Sequence, residues 1–333
     1  MHILDFFKDK VVYHVTDSDC DGIGCRVIAE FYIKPIAREY YVTCDGDRKM
    51  SAFDIDLMKK ADIVIFSDIG PNNKVLELLK SNNKNFKIFD HHIGGENGYE
   101  NLQSIIPVED YYFTTEKCGT KILFDSLTEG TRIKKVVAQF VELVNTYDLW
   151  QDLSFSWRYA KKLHHVLMES INWFETNPNV DRYENFVNNQ LKKFDTYREF
   201  SLSRFEEIKA LNGEKKEQTN YDLAKKSMKI RVDNSNQKYA YCTCNSKISL
   251  VCSRLIKENP DIDYFVFHST FLEKSKGELN GRVSIRSASD RETKINVALI
   301  AEKWSGGGHV NSAGCELSLE DFEKFRRGEI HLI

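Results

Sequence analysis

Three aspartates, Asp17, Asp19 and Asp21, stand at alternate positions in the stretch YHVTDSDCDGIGC, directly after an apolar run. Carboxylates this close repel one another, and a fold tolerates them when they share protons or enclose a cation. More acidic residues follow at similar places. Asp68 comes after IVIF, Asp90 after FKIF, and Asp148 at the end of IKKVVAQFVELVNTYDLW; His91 and His92 follow Asp90 directly. Six carboxylates are too many for a proton-sharing pair. A mixed Asp/His set suits a pair of divalent cations of the Mn²⁺ or Mg²⁺ type, with imidazole shifting the choice toward Mn²⁺. Two such ions stabilise the attacking and leaving oxygens of an in-line phosphoryl displacement and acidify water. The residue types therefore point to a two-metal phosphoesterase centre. An isolated D-x-D-x-D also suits a calcium loop, and Gly22 fits its sharp turn, but the closing glutamate of such a loop is missing.

The elements that must carry these residues can be read from the same sequence. VVYHV, IVIF and FKIF are short, continuous apolar runs, separated by helical stretches such as GIGCRVIAEFYI and NKVLELLKSN. That alternation predicts an α/β fold with a parallel sheet covered on both faces, in which ligands bind beyond the carboxyl ends of the strands. Asp17, Asp68 and Asp90 fall at three such ends. A helix with Val136, Phe140, Val144 and Tyr147 on one face delivers Asp148. Residues 153–226 read as a helical connector, and NGEKKEQTNYD (212–222) has the turn and charge composition of a linker or exposed loop. Strands return at MKIRV, KYAYCTC, DYFVFHS and GRVSIRS, and a helix, NVALIAEKW, precedes SGGGHVNSAG. The expected organisation is thus a catalytic domain over 1–152, the connector, and a smaller α/β domain over 227–333.

The 333 residues are enough for two domains, and the net charge of -3 describes an ordinary globular chain. No apolar run approaches the length of a bilayer span, and MHILDFFKDK is too short and too acidic for a secretory signal. Eight scattered cysteines without zinc-ribbon spacing read as reduced thiols, so the expected location is cytoplasmic. The first 150 residues carry 18 Lys and Arg against 24 Asp and Glu, and the remainder is close to balance. Binding of a long nucleic acid by bulk charge would require a basic excess, which excludes that class.

DSDCDGIGC, SDIGP, FDHH and YDLW, in this order, resemble the four N-terminal motifs of the DHH phosphoesterases. VSIRS followed by NVALIAEKWSGGGHVNSAGC resembles the DHHA1 domain that accompanies them. The resemblance runs from about residue 11 to 318 and, within the superfamily, is similar to the nanoRNA-degrading oligoribonucleases of the NrnB type, with a RecJ-like first motif. It implies two cations, with Asp19 and Asp21 each serving one, Asp68 bridging them, and His91 and Asp148 completing a shell. It further implies that His92 contacts the scissile phosphate while Asp90 orients a neighbouring histidine. Several branches place a histidine before the two aspartates; here Asp17 occupies that place and is taken as a ligand, with His14 as a strand residue.

In the second domain, glycines let backbone approach a phosphate closely and aim N–H groups at it. The resemblance implies that Arg286 and the loop Gly306, Gly307, Gly308 and His309 hold the substrate nucleotide. The reading is a metal-dependent phosphodiesterase that hydrolyses short single-stranded RNA or DNA to mononucleotides, with no membrane partner. A homodimer remains an open alternative. Two other readings also remain: a phosphatase or phosphodiesterase of small nucleotides such as pAp or linear and cyclic dinucleotides, and a non-catalytic nucleotide sensor.

Overall fold

The computed structural model describes residues 3–34, 37–41, 56, 58–93, 98–171, 181–273, 278–288 and 295–332. The chain divides into two compact units, 1–213 and 214–333.

In the first unit the apolar runs become strands β1 (Val12–Asp17), β2 (Ala37–Tyr41), β3 (Ile63–Ser67), β4 (Asn85–Asp90) and β5 (Tyr111–Phe113). They form one parallel sheet in the order β2-β1-β3-β4-β5. Helices α1 (Ile3–Phe7), α2 (Cys20–Tyr32), α3 (Asn73–Ser81), α4 (Tyr99–Leu102), α5 (Gly119–Thr128), α6 (Lys135–Asp148), α7 (Trp157–Met168) and α8 (Glu184–Thr196) accompany it. One core lies among α2, α5, α6, α7 and α8 and includes Ile63, Ile65 and Phe89 of the sheet. A second core gathers Tyr13, Val15, Val64, Phe66 and Ile88 with Leu76 and Leu79 of α3. Alternate residues of each strand thus serve opposite faces, as burial on both sides requires. The strand order reverses direction at β1, which places the topological switch point between β1 and β3.

Helix α2 is anchored through Arg26, a buried cation that pairs with Glu30 at 2.7 Å and makes two contacts with the Asp181 carboxylate. Val136, Phe140 and Val144 of α6 are buried as the helical period demands, with Tyr147 half-buried beside them.

The stretch 212–222 differs from expectation. It continues helix α9 (Arg204–Ser227) without a break, although Asn-Gly followed by charged residues has the composition of a loop. The physical reason is packing at one point. A Cβ at Gly213 would lie 2.6 Å from Cβ and Cγ of His165, so the glycine permits a close helix approach instead of ending the helix. The two units meet in sequence inside this helix, and residues 153–213 pack with the first unit.

In the second unit, β6 (Lys229–Val232), β7 (Lys238–Thr243), β8 (Tyr264–Glu273), β9 (Glu278–Ser287), β10 (Gly307–His309) and β11 (Ser312–Leu317) form a mixed sheet ordered β10-β11-β9-β8-β7-β6. One face packs on α11 (Val297–Glu302) and α12 (Leu319–Arg327), the other on α10 (Ile248–Glu258) and the end of α9. The seven described cysteines are buried free thiols. No described helix is long and apolar enough to cross a membrane.

Replacing Gly213 by alanine inside a helix ordinarily gains about 1 kcal/mol of propensity. Here the clash with His165 should outweigh that gain, for a net loss of about 1–2 kcal/mol in denaturant unfolding. A stabilised Gly213→Ala protein would mean that the contact yields.

Candidate metal centre

The carboxyl ends of β1, β3 and β4 bring the acidic motifs together at the switch point. After β1 the chain turns through Ser18 to Asp19, whose Oδ1 caps α2 by accepting the N–H groups of Asp21 (2.9 Å) and Gly22 (3.0 Å). Gly22 is required here, because a Cβ would meet the Asp17 carbonyl oxygen at 2.1 Å. Thr16 Oγ1 spans this crowded junction, with Gly22 O at 2.9 Å and Ser67 O at 3.0 Å as acceptors.

Asp21, fully buried in the first turn of α2, accepts the N–H groups of Gly119 (2.5 Å) and Thr120 (2.8 Å). It therefore sits on the N-terminus of α5, where free N–H groups and the helix dipole favour negative charge. Asp68 follows β3 in the left-handed region at φ 58, a conformation aspartate tolerates better than most residues, and its N–H donates to Phe89 O at 2.9 Å. A Cβ at Gly119 would lie 2.9 Å from Asp68 backbone atoms, so only glycine allows α5 to start against Asp68. Asp148 is the last residue of α6; its Oδ2 is buried and accepts no hydrogen bond among the described residues.

His91 is the meeting point. Its Nε2 lies 3.3 Å from Asp68, 3.5 Å from Asp148 and 3.8 Å from Asp21. Asp90 ends β4 fully buried and organises the two histidines. Its Oδ1 accepts the N–H groups of His91 (2.8 Å) and His92 (3.3 Å) and lies 2.7 Å from His92 Nδ1. Two groups of potential donor atoms result, each with its atoms within 4.8 Å of one another: Asp68, His91 and His92, and Asp21, Cys118 and Asp148.

Charge is poorly balanced in this cluster. Burial, then the charges of Asp21, Asp19 and Asp148, raise the Asp68 carboxyl well above its ordinary range. Burial and the charges of Asp21, Asp19 and Asp90 do so for Asp148. Burial lowers the His91 imidazole despite the carboxylates around it. Burial opposes protonation of His92 too, but the hydrogen bond and charge of Asp90, with Asp19 and Asp21, overcome it and raise that ring. Several buried oxygens thus gather around one largely neutral imidazole, with the His92 ring at their edge and no lysine or arginine among their described hydrogen bonds and ion pairs. A divalent cation is the species that reverses this repulsion, and the donor set of carboxylate oxygen and imidazole nitrogen suits Mn²⁺ or Mg²⁺.

Of the residues singled out from sequence, Asp21, Asp68, His91, His92 and Asp148 fall in the two groups, and Asp90 lies directly behind them. Asp19 is the α2 cap, exposed, and its charge acts on Asp68 and on both histidines. Asp17 is in neither group; its Oδ1 accepts the Ser18 N–H at 2.5 Å. His14 is a buried strand residue with Nε2 2.6 Å from Ser67 Oγ. Cys118, Gly119 and Thr120 were missed. The available signal was the CGT that opens the helical run ILF.

In the second unit, register sets Arg286 of β9 opposite Ser312 of β11, and Ser312 opposite His309 of β10. The His309 side chain lies outside the described residues. Arg286 Nη1 donates to the carbonyls of Ile285 (2.9 Å) and Ala313 (3.1 Å), while Nε is buried and makes no hydrogen bond among the described residues. The glycine run forms a hairpin strand instead of an open loop. Gly306 and Gly308 are enforced by contact: a Cβ would meet Gly314 O at 2.2 Å and Ser312 O at 2.4 Å respectively. At Gly307 a Cβ would meet nothing within 4 Å.

No family model matches the sequence. Oligoribonuclease NrnB of Bacillus subtilis is 27% identical over 325 residues, covering 94% of this chain and 75% of that protein. A 3′,5′-cyclic-nucleotide phosphodiesterase of Helicobacter pylori is 23% identical over 346 residues, covering 91% and 92%. The fold matches the DHH domain of a member of a family of ribosomal proteins with a TM-score of 0.61 at 11% identity, covering 97% of this chain and 87% of that one. It matches exonuclease RecJ bound to manganese with a TM-score of 0.56 at 14% identity, covering 98% and 91%. The chain is thus similar over most of its length to oligoribonuclease NrnB, and it shares its fold with DHH-domain proteins. The segments that resemble the DHH motifs are the elements just described: DSDCDG at the β1–α2 turn, SDIGP at and after the end of β3, FDHH at the end of β4 and YDLW at the end of α6.

The raised carboxyl groups make a signed prediction for chelated protein. A carboxyl whose folded pKa exceeds its unfolded value contributes stability below the unfolded pKa and loses it as pH rises through the folded one. At neutral pH, Asp68→Asn should therefore stabilise the metal-free protein by about 1–3 kcal/mol. The gain should shrink as pH falls toward the ordinary carboxylate range. A destabilised variant at neutral pH would contradict the repulsion.

Proposed function

We propose that this chain is a divalent-cation-dependent phosphodiesterase that cleaves very short oligonucleotides to mononucleotides. The observation that carries this is the convergence of Asp21, Asp68 and Asp148 on His91 at the switch point. Two relatives whose names give phosphodiester cleavage, an oligoribonuclease and a cyclic-nucleotide phosphodiesterase, support the substrate class. The manganese of the RecJ structure supports a divalent cation, and the imidazole donors favour Mn²⁺ over Mg²⁺.

In this reading Asp68 and His91 would hold one cation, and Asp21 and Asp148 the other. Asp19 would contribute the carboxylate oxygen not engaged in capping, and Asp17 is left out of the ligand set. When bound, the ions supply charge for the developing phosphorane and lower the pKa of water. The chain's own residues do the rest. Asp90 engages His92 through Nδ1, so His92 would meet the scissile phosphate through Nε2. The α5 N-terminus fixes Asp21, and the left-handed turn at Asp68 directs that carboxylate toward His91.

The second unit would bind the nucleotide. Arg286 has a buried Nε beside the hairpin, and Gly307 is a glycine that packing does not require. A close ligand would explain both. The absence of a basic excess suits a substrate that needs only a few phosphate contacts. The same chemistry would act on a cyclic or linear dinucleotide, and the cyclic-nucleotide phosphodiesterase among the relatives favours that as the second reading.

Incubation with Mn²⁺ and end-labelled RNA and DNA from dimers to about twenty-mers, with pAp and cyclic dinucleotides alongside, tests the substrate class. The expected preference is for the shortest RNAs, with mononucleotide products; equal cleavage of all lengths would overturn it. Asp68→Asn should lower kcat by a factor on the order of 10³, since several kcal/mol of charge stabilisation depend on the ions it holds. Gly307→Ala should fold normally yet raise KM, and Arg286→Ala should raise KM by about tenfold or more. An unchanged KM in both would remove the hairpin from the substrate site. Chelation should lower the melting temperature of the first unit by about 5–10 °C, as loss of an ion present at about 100 times its Kd removes about 2.7 kcal/mol.

A further inference from the structure

Cys118 is fully buried and occupies the N-cap position of α5. That position ordinarily carries Ser, Thr, Asp or Asn, whose side chain accepts an N–H from the first turn. Cys118 makes no such bond. The first-turn N–H groups of Gly119 and Thr120 are taken by Asp21 instead. Capping therefore does not account for a thiol here.

Its surroundings do suggest a use. The Cys118 N–H donates to Asn145 Oδ1 at 3.0 Å, which ties the residue to α6, the helix that also carries Asp148. The sulfur lies within 4.8 Å of carboxylate oxygens of both Asp21 and Asp148. Asp148 Oδ2 is buried and accepts no hydrogen bond among the described residues, with only the His91 ring 3.5 Å away, so a second, independent atom in the same place is left without a hydrogen bond. By contrast, Cys242, Cys244 and Cys252 lie in an apolar core of the second unit.

We propose that Cys118 is a sulfur ligand to the cation held by Asp21 and Asp148. The centre would then be unequal: an oxygen–nitrogen position at Asp68 and His91, and an oxygen–sulfur position at Asp21, Asp148 and Cys118. Binding exchanges the S–H proton for a sulfur–metal bond and releases that proton to solvent. A thiolate shifts selectivity toward softer ions such as Co²⁺, Zn²⁺ and Cd²⁺ and away from Mg²⁺. The inference rests on reading the first unit as a cation centre.

The test uses the chelated full-length protein titrated with Co²⁺ and with Cd²⁺, followed by calorimetry and by near-ultraviolet absorbance. Wild-type protein should develop a thiolate-to-metal charge-transfer band that saturates at one sulfur site per chain. Cys118→Ser should lose the band and bind Cd²⁺ about tenfold more weakly or worse. Cys315→Ser, which alters a thiol of the second unit, should keep it. Cys118→Ala serves as a second variant should the serine protein fail to fold. Heat of ion binding without a band would overturn sulfur ligation while leaving the cation centre standing. A band retained in both Cys118 variants would assign it to another thiol and also overturn the proposal. No ion binding by either method would overturn the cation centre itself, and the sulfur ligand with it.

Discussion

The first unit depends on one unfavourable interaction, the burial of several carboxylates around a single imidazole. Asp21 and Asp68 are almost entirely removed from water, Asp148 presents a buried oxygen, and all three face His91 Nε2 within 3.8 Å. Like charges at that range in a poorly solvated site raise one another's pKa values and destabilise the fold. Such a cluster is kept for function, and the surrounding architecture offsets its cost piece by piece. The α5 N-terminus neutralises part of Asp21, the α2 N-terminus part of Asp19, and the amides of His91 and His92 part of Asp90. Asp68 and Asp148 have no comparable partner in the described hydrogen bonds and ion pairs, apart from the His91 ring, the His92 ring 4.0 Å from Asp68, and the backbone around them. These are the two carboxylates whose protonated forms are most favoured.

Glycine placement follows from the same demand. Gly22 lets α2 begin against the Asp17 carbonyl, and Gly119 lets α5 begin against Asp68. Each brings a helix N-terminus up to the carboxylates, where its N–H groups supply a compensating positive field. In the second unit Gly306 and Gly308 serve a tight hairpin, whereas Gly307 has open space where its side chain would be. Packing accounts for two of the three consecutive glycines but not for the middle one.

Much of this was legible in the sequence because parallel strands buried on both faces are continuous apolar runs, and each of these runs ends in an acidic residue. Asp68, Asp90 and His91 could be placed on that ground alone. Asp148 could be placed because α6 has a clear apolar face ending beside it. What could not be read were contacts between residues distant in sequence. Gly213 has the appearance of a helix breaker until the side chain of His165 lies against it. Asp17 and Asp19 have the same residue type and spacing as Asp21, yet of the three only Asp21 falls in a donor group among the described residues. Cys118 carried no motif; only the α5–Asp21 contact brings its sulfur beside two carboxylates.

Cations bound at the switch point would relieve this repulsion. Anomalous diffraction at the manganese edge, from crystals grown with Mn²⁺, would locate them. Two anomalous peaks are expected, one bounded by Asp68 and His91 and the other by Asp21 and Asp148. Absence of manganese from that cluster, or a single ion held elsewhere by Asp17 and Asp19, would contradict it.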